Sequence, residues 1–276
     1  MSGSHTVGRF NAVILAADRT ADDAVARFAG VSCKAATPVA GIPMLLRVLD
    51  ALAPISFLDQ IVVVGPTTAA LAGSAQLTTG LQRERVKRLE PGSSPSRSAA
   101  MGLQAVGLDI PVLLTTADHA LLRSDLVREF LAASRGTGAD IVVGLTPFAR
   151  VQAAFPGVRR TVLRFQDQSY CTCNLFAVLT STGARVIDFW VNVEQQRKHP
   201  ARLVAGILGL SGAARYVLGR LTLDDALARA SLRLGASIAP VILHDPEASV
   251  DVDTLEDLRR VEAILALRES NVKREA

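Results

Sequence analysis

The stretch that decides the fold is residues 11–46, NAVILAADRTADDAVARFAGVSCKAATPVAGIPMLL. An apolar run, Ala12–Ala17, predicts a buried strand that ends in a polar loop, and the loop continues to Lys34. A Gly-x-Pro turn, Gly41–Pro43, then opens an amphipathic helix. A strand that ends in a loop and a helix start exposes backbone N–H groups and the positive end of a helix, and the lysine adds a cation. The stretch therefore predicts a phosphate-binding loop.

The spacing in this loop matches neither of the two common nucleotide motifs. The loop is about twice as long as a G-x-x-x-x-G-K-[ST] P-loop, and it contains no G-x-G-x-x-G. Because the glycine fingerprint is missing, an oxidoreductase is the class that the sequence favours least.

Composition and element order predict an α/β fold, a three-layer α/β/α sandwich with a mostly parallel, Rossmann-like sheet. Of the 276 residues, 49% are hydrophobic and only 4% aromatic, so the core is aliphatic, as in sheets buried on both faces. Buried strands alternate with helical patterns, which indicates βαβ units in a single domain, 1–276. The predicted elements after Ala12–Ala17 are the strands Ile61–Gly65, Val112–Thr116, Ile141–Leu145 and Ile238–Leu243, and the helices Pro43–Ala53, Ser96–Val106, Ser124–Ser134 and Leu255–Arg268.

The second half of the chain departs from this alternation. Thr161–Phe165 and Asn174–Leu179 are predicted strands so close together that a hairpin or mixed-sheet edge is favoured over a βαβ unit. A helical insertion at about 190–235 follows. Its part 201–221 is apolar with arginines at intervals, yet too interrupted to predict a membrane span. A helical subdomain, a peripheral membrane contact and a homodimer surface are the interpretations left open.

Charge and cysteine content limit the partners. A net charge of +4 without an aromatic-interleaved basic patch favours anionic small molecules or a membrane surface, and no nucleic-acid partner is expected. The three cysteines are an odd number and lack a zinc-site partner pair, and the first ten residues lack a secretory pattern. We therefore expect a cytoplasmic protein with reduced thiols, with membrane association left open.

Carboxylates in two segments are candidate metal ligands. Asp118 follows the predicted strand Val112–Thr116, and ligands of open parallel sheets bind beyond the carboxyl ends of the strands. A carboxylate there can hold Mg²⁺ against phosphate oxygens, or it can cap the next turn. Asp251 and Asp253 alternate before the last helix, and one of them can supply a second carboxylate to the same metal. Taken alone, this second segment predicts only a helix N-terminus.

A Gly/Ser turn, PGSSPSRSAAM at 91–101, opens another predicted helix. Such a turn leaves backbone donors for a nucleobase or ribose, and the side chains of Ser94, Arg97 and Ser98 can meet an anion. The alternative is a plain helix cap.

These four sites, in this order, resemble the nucleotidyltransferases with the GT-A-like fold, above all the molybdenum-cofactor guanylyl- and cytidylyltransferases and methylerythritol-phosphate cytidylyltransferase. Ile14–Ala17 matches the start of the family's L-A-A-G-x-G-x-R signature, with Arg19 as its arginine. Lys34 and Pro38–Leu45 match the lysine that precedes P-V-x-G-x-P-M-L. The resemblance covers nearly the whole chain and is weakest over 180–237.

The two acidic segments extend this resemblance. Thr116–Asp118 matches the segment of the family's metal aspartate, and 251–258 matches its C-terminal D-x-D-T-x-x-D-L. Asp18 and Thr20 stand where the signature has glycine. A carboxylate beside a triphosphate repels it unless the side chain turns away or helps to hold metal. We interpret the chain as a divergent branch with a helical insertion, which suggests a lipid-related or larger acceptor.

The resemblance implies a Mg²⁺-dependent nucleotidyltransferase. It would transfer a nucleoside monophosphate from a nucleoside triphosphate, CTP weakly preferred, to a phosphorylated sugar, polyol or lipid-like acceptor, and release pyrophosphate. The acceptor pocket is expected at 150–174 and at the insertion. The implied residues are Lys34, Arg19 and Asp118 for catalysis, Leu15, Ala16, Ala17, Asp18, Arg19, Lys34, Ser94 and Ser98 for the nucleotide, and Asp118, Asp251 and Asp253 for the metal.

Two other functions stay open. A GT-A glycosyltransferase usually carries Asp-x-Asp in mid-chain, whereas the segment 118–120 here is Asp-His-Ala with a single carboxylate. A non-catalytic nucleotide-binding regulator is suggested by Asp18.

Overall fold

Eight strands form the main sheet in the part of the chain that the computed structural model describes, residues 8–18, 22–158, 160–193 and 200–275. The strands of the protein are β1 (Phe10–Leu15), β2 (Pro38–Val39), β3 (Ile42–Pro43), β4 (Leu58–Val64), β5 (Val86–Leu89), β6 (Val112–Thr116), β7 (Ile141–Pro147), β8 (Leu163–Arg164), β9 (Ser169–Val178) and β10 (Ile238–Ile242). The main sheet has the order β10-β7-β9-β6-β1-β4-β5, with β8 paired to β9, while β2 and β3 form a separate pair.

Helices cover both faces of this sheet. They are α1 (Ala24–Ala29), α2 (Met44–Leu52), α3 (Thr68–Ala72), α4 (Ala75–Gly80), α5 (Pro95–Val106), α6 (Ser124–Gly136), α7 (Phe148–Ala154), α8 (Ser181–Val193), α9 (Pro200–Val217), α10 (Leu223–Leu234) and α11 (Leu255–Glu275), with short 3₁₀ helices at Lys34–Ala36 and Pro246–Ser249.

Strand directions confirm the mostly parallel, Rossmann-like sheet. β1 runs parallel to β4 and β6, β4 to β5, and β7 to β10. The exception is β9, which runs antiparallel between β6 and β7. It also pairs antiparallel with β8, so the predicted hairpin is present, but β9 lies inside the sheet and not at its edge.

Alternating side chains of β1 supply the two halves of the core. Ala12 and Ile14 pack in one cluster with Leu49 of α2 and Phe130 of α6. Val13 packs on the other face with residues of α5 and α8. Because the sheet is buried on both sides, its strands need aliphatic residues at successive positions, which explains the apolar runs in the sequence.

A third apolar cluster brings the two acidic segments together. Val261 of α11 packs with Val250, Val252 and Leu121. The backbone N–H of Val252 also donates to the carbonyl of Asp118, 3.1 Å away. Packing of the last helix therefore lays segment 250–253 against the loop that follows β6.

The helical insertion contains α9 and α10. Gly209 has φ 74° and ψ 166° inside α9, so the helix is interrupted there. Within the described ranges, no helix combines the length and apolar character that a membrane crossing requires.

Candidate active site

The carboxyl end of β1 offers a closely fixed stretch of backbone. Ala117 donates its N–H to the carbonyl of Leu15 at 2.9 Å, which ties the end of β1 to the end of β6. On the other side, Gly65 follows β4 with φ 92°, and a Cβ there would lie 2.8 Å from the nitrogen of Ala17. Only glycine allows this close approach, so the predicted phosphate loop leaves the sheet between two neighbouring strand ends.

A lysine and two carboxylates meet at this edge of the sheet. Lys34 Nζ lies 2.8 Å from Asp118 Oδ2 and 2.7 Å from Asp253 Oδ1. The side chains of Lys34 and Asp118 are each 15% exposed, whereas Asp253 is 46% exposed. Thr116 donates its hydroxyl to Asp118 Oδ1 at 2.6 Å. Three sites that the sequence spaces far apart therefore form one cluster.

The opposite charges of this cluster stabilise the protonated form of Lys34. Burial alone lowers the pKa of Lys34, but the ion pairs and hydrogen bonds with Asp118 and Asp253 outweigh burial and raise that pKa above its ordinary value. The lysine therefore stays protonated at neutral pH and offsets both carboxylates.

Asp18 points its carboxylate back at the chain. Its Oδ1 accepts a hydrogen bond of 2.9 Å from the backbone N–H of Lys34. Burial raises the pKa of Asp18, while that hydrogen bond acts in the opposite direction. The aspartate thus fastens the beginning of the long loop to its end and holds the residue that carries the ammonium. Arg19 and Thr20 lie outside the described residues.

Asp251 and Asp253 have different surroundings. Asp251 forms an ion pair with Arg160, which also donates to the Asp251 carbonyl at 3.0 Å. Asn174 Nδ2 donates to Asp251 Oδ2 at 2.9 Å. Asp253 therefore lies beside Lys34, and Asp251 is held by two residues of the 150–174 region. Sequence reasoning did not single out Arg160 or Asn174, and no local spacing pattern pointed to them.

Two predicted serines shape the turn before α5. Ser94 is the N-cap, and its hydroxyl accepts from the N–H of Arg97 at 3.3 Å. Ser98 is buried, and its hydroxyl accepts from the N–H of Gly92 at 3.0 Å. Both hydroxyls fix the backbone of the turn, which lies beside Leu15 in the lining of one cavity.

The pair Asp118 and Asp253 suits a divalent cation. No cluster of three or more His, Cys, Asp or Glu side chains that could hold a metal is present within the described ranges. A cation, the Lys34 ammonium, nevertheless lies between these two carboxylates. Mg²⁺ usually binds one or two protein carboxylates and takes its other ligands from water and substrate phosphates. The donor set present here fits that requirement.

Comparison with known families now identifies the chain. A family model described as the MobA-like NTP transferase domain matches residues 12–233. The chain belongs to this family. By family, the MobA-like chain is therefore a nucleotidyltransferase, as the resemblance implied.

Individual proteins are similar to this MobA-like chain in sequence or in fold. A hypothetical transferase from Thermus thermophilus is 29% identical, with a TM-score of 0.73 over 91% of this chain and 99% of that one. The 4-diphosphocytidyl-2C-methyl-D-erythritol synthase of Anaerococcus prevotii is 13% identical, with a TM-score of 0.57 over 94% and 97%, and it shows the shared fold. The bifunctional protein GlmU of Sinorhizobium fredii is 35% identical over 140 residues. That match covers 48% of this chain but only 27% of the GlmU protein.

Proposed function

We propose that this protein transfers a nucleoside monophosphate from CTP to a phosphorylated acceptor and releases pyrophosphate, with Mg²⁺ as the metal. The observation that carries the proposal is the Lys34 ammonium between the carboxylates of Asp118 and Asp253, beyond the carboxyl ends of parallel strands. We assign the whole chain, 1–276, to one nucleotidyltransferase domain that contains the helical insertion.

The reaction needs positioning and charge neutralisation. An oxygen of the acceptor phosphate attacks the α-phosphorus and forms a new P–O bond. The bond from the α-phosphorus to the oxygen that bridges to the β-phosphate breaks, and pyrophosphate leaves with that oxygen. Negative charge grows on the leaving group, so fixed cations beside it accelerate the step.

Each cationic or acidic residue of the cluster has a role in this step. In the free enzyme Lys34 forms ion pairs with the two carboxylates, and during the reaction its ammonium pairs with the triphosphate instead. Arg19 would be the second cation beside the triphosphate. Asp118 and Asp253 would hold Mg²⁺, which would offset the negative charge of the phosphates. We choose Asp253 over Asp251 as the second carboxylate because Asp251 is occupied by Arg160 and Asn174.

The backbone of the site would hold the nucleoside. Leu15–Ala17 and the turn 94–98 offer main-chain groups for base and ribose, and the hydroxyls of Ser94 and Ser98 keep that turn in shape. The preference for CTP is supported by the name of the Anaerococcus prevotii neighbour, a synthase of a diphosphocytidyl compound.

A pyrophosphate-release assay tests the proposal. The four nucleoside triphosphates are offered with Mg²⁺ and a panel of sugar, polyol and alkyl phosphates, and CTP is expected to give the highest rate. Asp125→Ala, at an exposed acidic residue on α6, is the matched control for substitutions at Asp118. Absence of turnover with every triphosphate, together with no triphosphate binding by calorimetry, would refute the proposal. Turnover of a preformed nucleotide sugar without pyrophosphate would instead support a glycosyltransferase.

A further inference from the structure

An apolar cavity of about 450 Å³ adjoins the proposed nucleotide site. At one end it is lined by Leu15, Pro95 and Ser96, and at the other by Ile141 and Ile238, the first residues of β7 and β10. Helices α8, α9 and α10 contribute further lining, so the cavity lies between the sheet and the helical insertion. Among the described residues that line it, only Ser96 and the indole N–H of Trp190 bring a side-chain hydrogen-bonding group.

The register of the strands gives the reach of this cavity. Leu15 pairs with Thr116, and Val112 lies level with Ile141 because both oppose Val178. Along the strands the cavity therefore extends over four residues, roughly 13 Å, and across them, from β1 to β10, over four strand spacings, roughly 19 Å. A cavity with this diagonal suits a chain better than a single planar base.

The chemistry of the lining selects the occupant. Pockets that bind small ligands typically measure roughly 300–1,000 Å³, and the volume of this cavity falls in that range. A sugar or polyol would bury several hydroxyls against aliphatic side chains with almost no polar partner, which is unfavourable. A hydrocarbon chain gives up no hydrogen bonds when it enters this cavity, and the transfer of its apolar surface out of water is favourable.

The outer surface of the insertion is consistent with such an occupant. Leu210 and Val217 of α9 and Leu232 of α10 are each more than 80% exposed. Arg229 and Arg233 lie on α10 among them and donate hydrogen bonds to α9. Helices that present large apolar side chains together with arginines are typical of proteins that contact the lipid–water interface.

We propose that the acceptor is an amphiphile whose hydrocarbon chain lies in this apolar cavity and whose phosphate reaches Lys34 and Asp118. The inference rests on the proposed function, because it names the acceptor class of that same site. The chain enters the space under α8, α9 and α10, and the head group stays at the carboxyl end of β1.

Trp190 allows a test that does not depend on turnover. It is the single tryptophan of the sequence, it is 39% exposed, and it lines the cavity. We expect n-alkyl phosphates that carry a terminal bromine, used below their micelle concentration, to quench Trp190 emission saturably. Their affinity should rise about fourfold per added methylene until the cavity is full. Glycerol phosphate should leave the emission unchanged.

Substitutions inside and outside the cavity test where the alkyl phosphates bind. Ala230→Phe fills the cavity and should weaken decyl phosphate binding at least tenfold, while Ala228→Phe adds the same side chain on the exposed face of α10 and should not. Val143→Thr keeps the volume, adds a hydroxyl to the lining and should weaken binding severalfold even if Ala230→Phe does not fold. Affinity that is independent of chain length, or equal in Ala230→Phe and Ala228→Phe, would overturn the inference.

The two proposals fail in different ways. Chain-length-dependent quenching without pyrophosphate release from any triphosphate would show that the cavity binds a hydrocarbon chain, but it would refute the proposed function and with it the acceptor role of the amphiphile. Pyrophosphate release that is equally efficient with glycerol phosphate and decyl phosphate, without quenching, would support the function and refute the cavity as acceptor site.

Discussion

Acidification is expected to destabilise this protein through His119. The imidazole is fully buried, and neither ring nitrogen has a hydrogen-bond partner among the described residues. Burial lowers the pKa of His119 from 6.5 to about 4, although the charge of Asp118 opposes the change. The unfolded chain therefore binds more protons than the folded one between these pH values, so stability falls as the pH decreases through this window. The difference of pKa corresponds to about 3 kcal/mol of unfolding free energy between pH 7.5 and pH 4.

Urea unfolding, followed by far-ultraviolet circular dichroism at a series of pH values, measures this loss. Other acidic groups also titrate in the range, so the relevant quantity is the difference between wild type and His119→Leu. Taking that difference removes the contribution of the other groups, and the change of the difference with pH is free of the pH-independent packing cost of the substitution. The difference should shift in favour of the variant by about 3 kcal/mol from pH 7.5 to pH 4.

His244→Leu is the matched control, because His244 lies in the loop that follows β10 and its side chain is exposed. Its stability difference from wild type should change little over the same range. A pH-independent difference for His119→Leu would refute the reasoning, since it would mean that the buried ring is protonated in the folded state as easily as in the unfolded one.

Three further predictions concern the candidate active site. Asp118→Ala should lower kcat/KM for pyrophosphate release by roughly 100- to 1,000-fold while circular dichroism stays unchanged; near-full activity would show that the site is wrongly assigned. Lys34→Met should lower turnover and also raise Mg²⁺ affinity in calorimetry without nucleotide, because the ammonium no longer pairs with the two carboxylates; unchanged or weaker Mg²⁺ binding would contradict this. Asp18→Asn keeps the oxygen that accepts from the Lys34 N–H, so its kcat/KM should stay within about twofold of wild type. Asp18→Ala loses that hydrogen bond of about 1 kcal/mol, so its kcat/KM should fall roughly fivefold. Equal rates for both variants would rule out the positioning role of Asp18.

Short-range patterns in the sequence predicted most of the strands and helices. The apolar run before the loop is β1, and the predicted strand Val112–Thr116 agrees with β6 at both ends. Buried strands of a parallel sheet need aliphatic residues in succession, so the chain itself carries that signal. The strand Val86–Leu89 was missed because β5 lies at the sheet edge, where it is half exposed and contains Lys87 and Arg88.

The location of β9 could not be predicted in the same way. Its spacing from β8 indicated a hairpin, which is present. Insertion of β9 between β6 and β7 depends on pairings between residues far apart in sequence, such as Leu145 with Thr172 and Val112 with Val178. No local pattern encodes which strands become neighbours.

By itself, the sequence determined the fold class, the family and the order of the segments that carry the candidate site, because each depends on runs and spacings of a few residues. Only the tertiary structure decided which acidic residue meets Lys34. Asp251 and Asp253 are two positions apart and chemically identical, yet Arg160 and Asn174 hold the first while the second lies beside Asp118. The direction of the Asp18 carboxylate and the apolar cavity were decided there too, since both arise where distant parts of the chain pack against each other.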